Sequence, residues 1–288
     1  MAKKQKKEES NEMARAFLKA MSYLADFEGK TIVIKAGGSP MKNEDERDTF
    51  ASIAAHLRRI GINIVIAHGG GNYVTETLET RGIISEFVHG KRVTGDKEME
   101  AICEVIGGTV NQNIAKSINK YGGHAVGLSG FSDDLIVARP CSESGTLGRV
   151  GEVEGINTPL LKLLLQNAII PVIAPIGITK NSREILNINA DDVASAVATA
   201  LNAEKLIYVC DVPGVQDAKK DVISTLTKSE ADSMIMNEEI TSGMIPKMSS
   251  ATLALEAGVH KVHFVGEDPS ALLMELLTEG VGTLYVLD

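Results

Sequence analysis

The amino-acid sequence predicts an α/β protein: a three-layer αβα sandwich around a mainly parallel central sheet, extended by one helix at the N-terminus. Three observations carry that expectation. Short apolar runs rich in β-branched residues, such as 31–34 and 62–67, alternate with segments of helical period, the order that builds a parallel sheet through right-handed crossovers. The runs show no polar alternation, so these strands are expected to be buried on both faces. Several break directly into glycine, which lets backbone N–H groups approach a ligand at the carboxyl edge of the sheet.

Composition sets the limits. The 288 residues can bury a full core, and 44% apolar with 23% charged residues is an ordinary globular balance. A net charge of −9 argues against a nucleic-acid partner, which needs a basic footprint. Cys103, Cys141 and Cys210 are widely spaced, form no CxxC pair and lie in or beside apolar segments. That is the pattern of buried free thiols in a reducing compartment, and no metal-ligand set is expected. Lys3, Lys4, Lys6 and Lys7 are followed by no signal-type apolar stretch, and no window approaches the roughly 18 apolar residues of a membrane span. A disordered basic tail on a cytoplasmic protein without a membrane partner is expected.

In chain order, residues 12–26 place Met13, Phe17, Met21 and Leu24 at helical spacing. This helix either packs on its own domain or makes an oligomer contact. The strand that follows carries Lys35 into Gly37 and Gly38; a strand without a polar face should end in lysine only where an anion waits beyond its tip. Phe50, Ile53, Ala54 and Leu57 mark a helix, and the second strand then breaks into Gly69, Gly70 and Gly71 before a helix from about 73 to 80. Residues 87–94 read as a loop with a strand-like end that presents Arg92. A long helix carries Met99, Ile102, Ile106, Val110, Ile114 and Ile118 on one side. Gly107 and Gly108 in its middle cost about 1 kcal/mol each relative to alanine, so close packing is expected there.

Residues 124–130 form a buried strand ending in glycine, and 134–139 with 149–156 read as a hairpin. A helix near 159–166 and a central strand near 168–177 follow. The polar stretch 178–186 is read as a crossover, dividing the chain into a tail and N-terminal helix (1–26), a first lobe (27–178) and a second lobe (179–288). Beyond it come a helix with Val193, Val197 and Leu201, a strand at 205–210, and a turn holding Asp211 and Gly214. A short helix at 229–236, a helix ending at Gly258, a strand at 261–265, a helix at 271–277 and a closing strand complete the alternation.

Taken alone, these residues suggest phosphoryl transfer without a P-loop, since no GxxxxGK[ST] occurs and no GxGxxG follows a strand. Two lysines stand in special contexts, Lys35 at a strand tip and Lys247 after the segment 243–246. Asp191 lies near a helix start, where its carboxylate suits the dipole or simply caps the helix.

Eight segments, IVIKAGGSPM, HGGG, GKRVT, VGLSG, PVIAPIG, NINAD, DVPGV and SGMIPK, occur in register over about residues 15–288. In this set the sequence resembles the amino acid kinase family, and within it the branch that phosphorylates N-acetylglutamate. The resemblance implies transfer of the γ-phosphate of ATP, with Mg2+ held mainly by the phosphates, to the γ-carboxylate of N-acetyl-L-glutamate in arginine biosynthesis. It implies that the first lobe holds the amino acid and the second ATP. Lys35 and Lys247 would neutralise the transferring group, and Asp191 would position them. Gly37 and Gly38, with Asp211 and Gly214, would meet phosphate and nucleotide, while Gly70, Gly71, Arg92, Asn187 and Asn189 would hold the substrate.

The N-terminal helix resembles that of arginine-inhibited members that assemble as dimers interlaced into hexamers. His263, Glu275 and Gly280 map onto their L-arginine site. The sequence departs from the family pattern at Ala36, Asn72, Lys91 and Leu186 and in SGFSDD, which bears on substrate range. The same fold acting on carbamate, aspartate or an aminoadipate derivative, and a non-catalytic arginine sensor, are the competing readings.

Overall fold

The computed structural model describes residues 2–37, 44–88, 90–141, 144–240, 243–278 and 280–288. Gly38 lies outside the described residues. Helix α1 (Ala2–Ala25) leads into β1 (Thr31–Ala36), α2 (Glu44–Arg59), β2 (Asn63–His68) and α3 (Gly71–Thr80). Two short strands, β3 (Phe87–Val88) and β4 (Lys91–Arg92), precede α4 (Asp96–Ile102), a π-helical segment (Cys103–Val110) and α5 (Asn111–Lys120). Next come β5 (Ala125–Leu128), β6 (Ile136–Pro140), α6 (Ser144–Leu147), β7 (Val150–Ile156) and α7 (Thr158–Gln166). Strands β8 (Ile170–Ile173), β9 (Ile176–Thr179) and β10 (Ile185–Ile188) precede α8 (Ala190–Ala200) and β11 (Lys205–Cys210). The chain closes with β12 (Thr225–Thr227), α9 (Lys228–Met236), α10 (Ile245–Glu256), β13 (Lys261–Gly266), α11 (Pro269–Thr278) and β14 (Thr283–Val286).

One eight-stranded sheet, in the order β12-β14-β13-β11-β1-β2-β8-β5, runs through the protein. It is parallel from β13 to β5, and β14 turns antiparallel against β13. Strand β1 is central because it has two apolar faces to bury. Ile32, Ile34 and Ala36 face a core built with α2, α3, α4 and α5, and Val33 faces a second core built with α7, α8 and α10. These two cores make the three layers that the unalternated strands predicted. The sheet also runs through both expected lobes, which meet where β1 pairs with β11.

Three expectations need correction. The basic tail is helical: α1 begins at Ala2, and its run has no glycine or proline but many residues of high helix propensity. The hairpin of β6 and β7 is real, but β9 and β10 close it into a four-stranded barrel, so the polar stretch 178–186 contains an antiparallel pairing. Its polar residues form the turn, where Arg183 takes a positive φ of 59°.

The long helix is interrupted by its π segment. The apolar residues from Ile102 to Ile118 recur every four positions, and each such step turns an α-helix about 400°, so a pure α-helix would carry the stripe off its face. The wider π turn takes up this drift, and Ile102, Ile106, Val110, Ile114 and Ile118 are all buried. The expected close contact at Gly107 is Ile176, whose Cδ1 lies 3.0 Å from where a Cβ would sit.

Helix α1 lies along α11 and sends Leu24 into the core, while Met13, Phe17, Leu18 and Met21 stay more than half exposed.

Gly130 shows how tightly the barrel is joined to the main sheet: a Cβ there would stand 2.4 Å from the carbonyl oxygen of Ile176. Gly130→Ala is expected to cost about 1–3 kcal/mol, because only backbone can yield. Urea denaturation monitored by circular dichroism checks this, and an unchanged midpoint would contradict the packing described.

Candidate active site

Lys35 follows Val33 in the alternation of β1 and therefore points toward α8. There Asp191 occupies the first turn, where a carboxylate is favoured by the helix dipole, and Asn189 caps the helix by accepting the Asp191 backbone N–H at 2.8 Å. The Lys35 ammonium lies 3.0 Å from Asp191 Oδ1, and Lys247 donates to Oδ2 at 3.2 Å. Lys247 sits in the first turn of α10, where the dipole disfavours a cation, so its placement depends on this carboxylate. Lys35 and Asp191 are buried and Lys247 is partly buried.

Burial alone would push the Asp191 carboxyl up, but the two ammonium groups outweigh it and hold it below the usual range. Burial lowers Lys247 and Asp191 raises it, with the carboxylate winning. The neighbouring Cys210 thiol is pushed up to about 12 by burial and stays neutral. A second contact locks the two helices: Ser250 of α10 donates to Asp192 of α8 at 2.5 Å, and Ser195 donates to the Ser250 carbonyl at 2.8 Å.

Gly37 lies against this triad: a Cβ there would stand 2.7 Å from Lys35 Nζ, so a larger residue would have to displace the ammonium. The second glycine turn follows β2. Gly70 takes φ 151°, open to glycine, and packs on Ile106 and Val110 of the π segment, whereas open space lies beside Gly69 and Gly71. His68, fully buried at the strand end, has Nδ1 2.8 Å from the Gly69 carbonyl and Nε2 2.9 Å from Asn111 Nδ2.

Arg92 donates from Nη2 to the Gly71 carbonyl at 2.9 Å and to Thr75 Oγ1 at 2.8 Å, and from Nη1 to Ser85 Oγ. Its guanidinium also covers the Phe87 ring. It thus ties the glycine turn to the β3–β4 hairpin while lining a cleft of about 870 Å³ that also holds Lys91, Asn187, Asn189 and Asp192. Asn187 donates to Thr94 Oγ1 at 3.1 Å.

The expected residues therefore divide into groups. Lys35, Asp191 and Lys247 come together, with Gly37 against them, and Arg92, Asn187 and Asn189 share the cleft. Asp211 is exposed just after β11, and Gly214 is packed, since a Cβ would lie 2.8 Å from Val222 Cγ1. His263 and Glu275 meet elsewhere, 2.9 Å apart and buried, with Lys205 pairing to the same Glu275 oxygen at 3.0 Å. Glu275 thus already holds two partners on Oε1, and its Oε2 is buried with no hydrogen-bond partner among the described residues. Gly280 lies outside this cluster, exposed and donating to Thr278 Oγ1. Among the described residues, no three His, Cys, Asp or Glu side chains gather to hold a metal, and no helix is long and apolar enough to cross a membrane.

The sequence model of the amino acid kinase family matches residues 30–266. The chain belongs to the amino acid kinase family. The kinase is 48% identical to acetylglutamate kinase of Chlorobium luteolum across 95% of its own length and 90% of that protein's. Acetylglutamate kinase of Geobacter sp. is 44% identical across 94% of this chain and 97% of its own. Among solved structures, N-acetylglutamate synthase from Neisseria gonorrhoeae, complexed with coenzyme A and N-acetyl-glutamate, superposes with TM-score 0.85 at 25% identity. It covers 96% of this kinase, which spans 63% of that longer chain. Carbamate kinase of Giardia shares the fold, with TM-score 0.67 at 16% identity over 90% of this chain and 99% of its own.

Sequence reasoning missed His68, Asn111 and Lys205. The signal for His68 was its place in HGGG, read there only for the glycines; nothing in the sequence pairs it with Asn111. Burial, with help from the Lys35 charge and against the Gly69 hydrogen bond, lowers the kinase's His68 to about 4. The unfolded chain, near the ordinary 6.5, therefore binds the proton more readily between pH 6.5 and 4. The stability linked to neutral His68 is full above pH 6.5 and lost as pH falls toward 4, by up to about 3 kcal/mol. Urea midpoints of the wild type and His68→Gln across this range check it: the variant's curve should be flatter, and parallel curves would refute the assignment.

Proposed function

We propose that this kinase transfers the γ-phosphate of ATP to the γ-carboxylate of N-acetyl-L-glutamate, giving N-acetylglutamyl 5-phosphate. The observation that carries the reading is Asp191 holding Lys35 and Lys247 together at the sheet's carboxyl edge, in a chain so close to acetylglutamate kinases. A carboxylate is already a nucleophile at neutral pH, so no general base is needed. The barrier lies in bringing two anions together and stabilising the equatorial phosphoryl oxygens. One buried and one partly buried ammonium group beside a bare glycine backbone suit that task. Asp191 sets their separation and is not itself a base, since it is held ionised between them.

Asp211 and Gly214 would face the nucleotide in the second lobe, 179–288. Lys35, Lys247 and the Gly37 backbone fit the phosphates, and Mg2+ carried on those phosphates would supply further charge neutralisation. The first lobe, 27–178, supplies Gly70, Gly71 and Arg92 for the substrate, with Asn187 and Asn189 closing the cleft from the second. Arg92 has Nε–H and one Nη1–H beyond its described bonds to offer the α-carboxylate.

L-Arginine is proposed as effector at His263, Glu275 and Gly280. Support comes from Glu275 Oε2, a buried acceptor without a donor among the described residues. Lys205 also lies under the Phe27 ring, which lines a cavity of about 300 Å³ with Tyr23, Asp26, Lys30, Glu204 and Lys261. A cavity edged by both signs of charge suits a zwitterion with a cationic side chain. The exposed apolar stripe of α1 is proposed to pack on a second copy, joining dimers into a hexamer.

Acyl phosphate trapped with hydroxylamine tests the reaction, with N-acetylglutamate beside glutamate, aspartate and carbamate. Product is expected with N-acetylglutamate alone, falling about 100-fold or more in Lys247→Ala. Product from another acid would move the role of Arg92, and none from any acid would leave a sensor. Sedimentation velocity with and without residues 2–25 tests the assembly: a hexamer should fall to dimers, and arginine inhibition should weaken in Glu275→Gln. A monomer at both lengths, or activity indifferent to millimolar arginine, would refute these assignments.

A further inference from the structure

The substrate turn is held from below by a buried polar relay that the phosphoryl chemistry does not itself require. Asn111, the first residue of α5 and fully buried, donates from Nδ2 to His68 Nε2 at 2.9 Å and to the Val172 carbonyl at 2.9 Å. An amide nitrogen can only donate, so His68 Nε2 is the acceptor and the ring proton sits on Nδ1. That proton is donated to the Gly69 carbonyl, 2.8 Å away. The relay admits one tautomer.

The carbonyl of Gly69 and the N–H of Gly70 belong to one planar trans peptide and point to opposite sides of it. Whatever holds the oxygen aims the hydrogen. On its flank, Gly70 is pressed against Ile106 and Val110, where the π segment widens the helix, so the turn is fixed by side packing as well as from below. The room for Asn111 is also specified, since a Cβ on Gly127 would fall 1.9 Å from Asn111 Oδ1. Glycine, asparagine and histidine from three elements are thus fitted to one another around a single peptide plane.

We propose that His68 and Asn111 are positioning residues that, through the Gly69 peptide, fix the direction in which the Gly70 N–H meets the anionic group being phosphorylated. This rests on the reading that Gly70 faces the reacting groups. Neither side chain touches substrate; both act through the backbone.

The two ring nitrogens can be tested apart. Asparagine at position 68 keeps a donor near the place of Nδ1, and glutamine keeps a group near the place of Nε2. His68→Gln, which loses the grip on Gly69, is expected to lower kcat about 100-fold, the scale for losing one oriented backbone donor, with the KM for ATP within twofold. His68→Asn is expected to recover at least tenfold of that loss, although both variants break one buried hydrogen bond. Equal kcat in the two variants, or losses that follow melting temperature instead of donor position, would overturn the proposal. Each variant is assayed with whichever acid the wild type phosphorylates, so a wrong acceptor is detected separately from a wrong role for His68. Should the variants fail to fold, 15N imidazole spectra of the wild type still decide. A neutral Nδ1–H ring from pH 8 to 5.5 is expected, and an Nε2–H tautomer or a protonated ring would overturn the proposal.

Discussion

One carboxylate between two ammonium groups is the constraint around which this protein is arranged. Lys35 and Lys247 cannot share a dry site without a counter-charge, and Asp191 lies 3.0 and 3.2 Å from them. The three side chains come from β1, α8 and α10, so satisfying one charge fixes the ends of three elements at once. Breaking such a buried set is far more costly than the set is stabilising, because each charge left behind has no water to turn to. The neighbouring contacts follow from the same need. Asn189 caps α8 to hold Asp191, Ser250 bonds Asp192 to hold α10, and Gly37 leaves room for the Lys35 ammonium.

A second buried cluster of ionisable side chains shows the same logic without the openness. Lys205, His263 and Glu275 meet on β11, β13 and α11, and Phe27 covers the lysine. The first set lies beside bare glycine backbone at the strand tips, whereas the second is buried beneath Phe27 at the edge of the smaller cavity. Two clusters of buried ionisable groups are therefore set in different surroundings here, and burial alone does not separate them. What does is the surrounding backbone, which is glycine and approachable in one place and packed side chain in the other.

Much of this was legible in the sequence. Strands buried on both faces announce themselves as unbroken apolar runs, and Lys35 stood out because nothing in such a strand should be charged. Asp191 and Lys247 were legible through NINAD and SGMIPK, segments that carry the family resemblance; on the residues alone Asp191 read as a helix cap. Other features depend on partners far along the chain. The closed sheet of β6, β7, β9 and β10 joins strands whose local patterns resemble an ordinary hairpin and a polar loop. Asn111 reads as one more polar residue in a helix until the fold brings His68 to it. The π segment was written in the four-residue spacing of Ile106, Val110, Ile114 and Ile118, a drift easily taken for a plain helical stripe.

The order of strands also governs how the chain can be made. Among the described residues β12 pairs with β14 alone, and β14 (Thr283–Val286) follows every other strand of the sheet in sequence. Strand β1 likewise has β2 for one edge as soon as synthesis passes it, but must wait for β11 to cover the other. A chain still being made therefore holds apolar strand edges that wait for partners far along the sequence, edges that would template association with any neighbouring strand. Completion of the sheet therefore waits for β14, and a chain interrupted before Thr283 would keep an adhesive edge on β12 and β13.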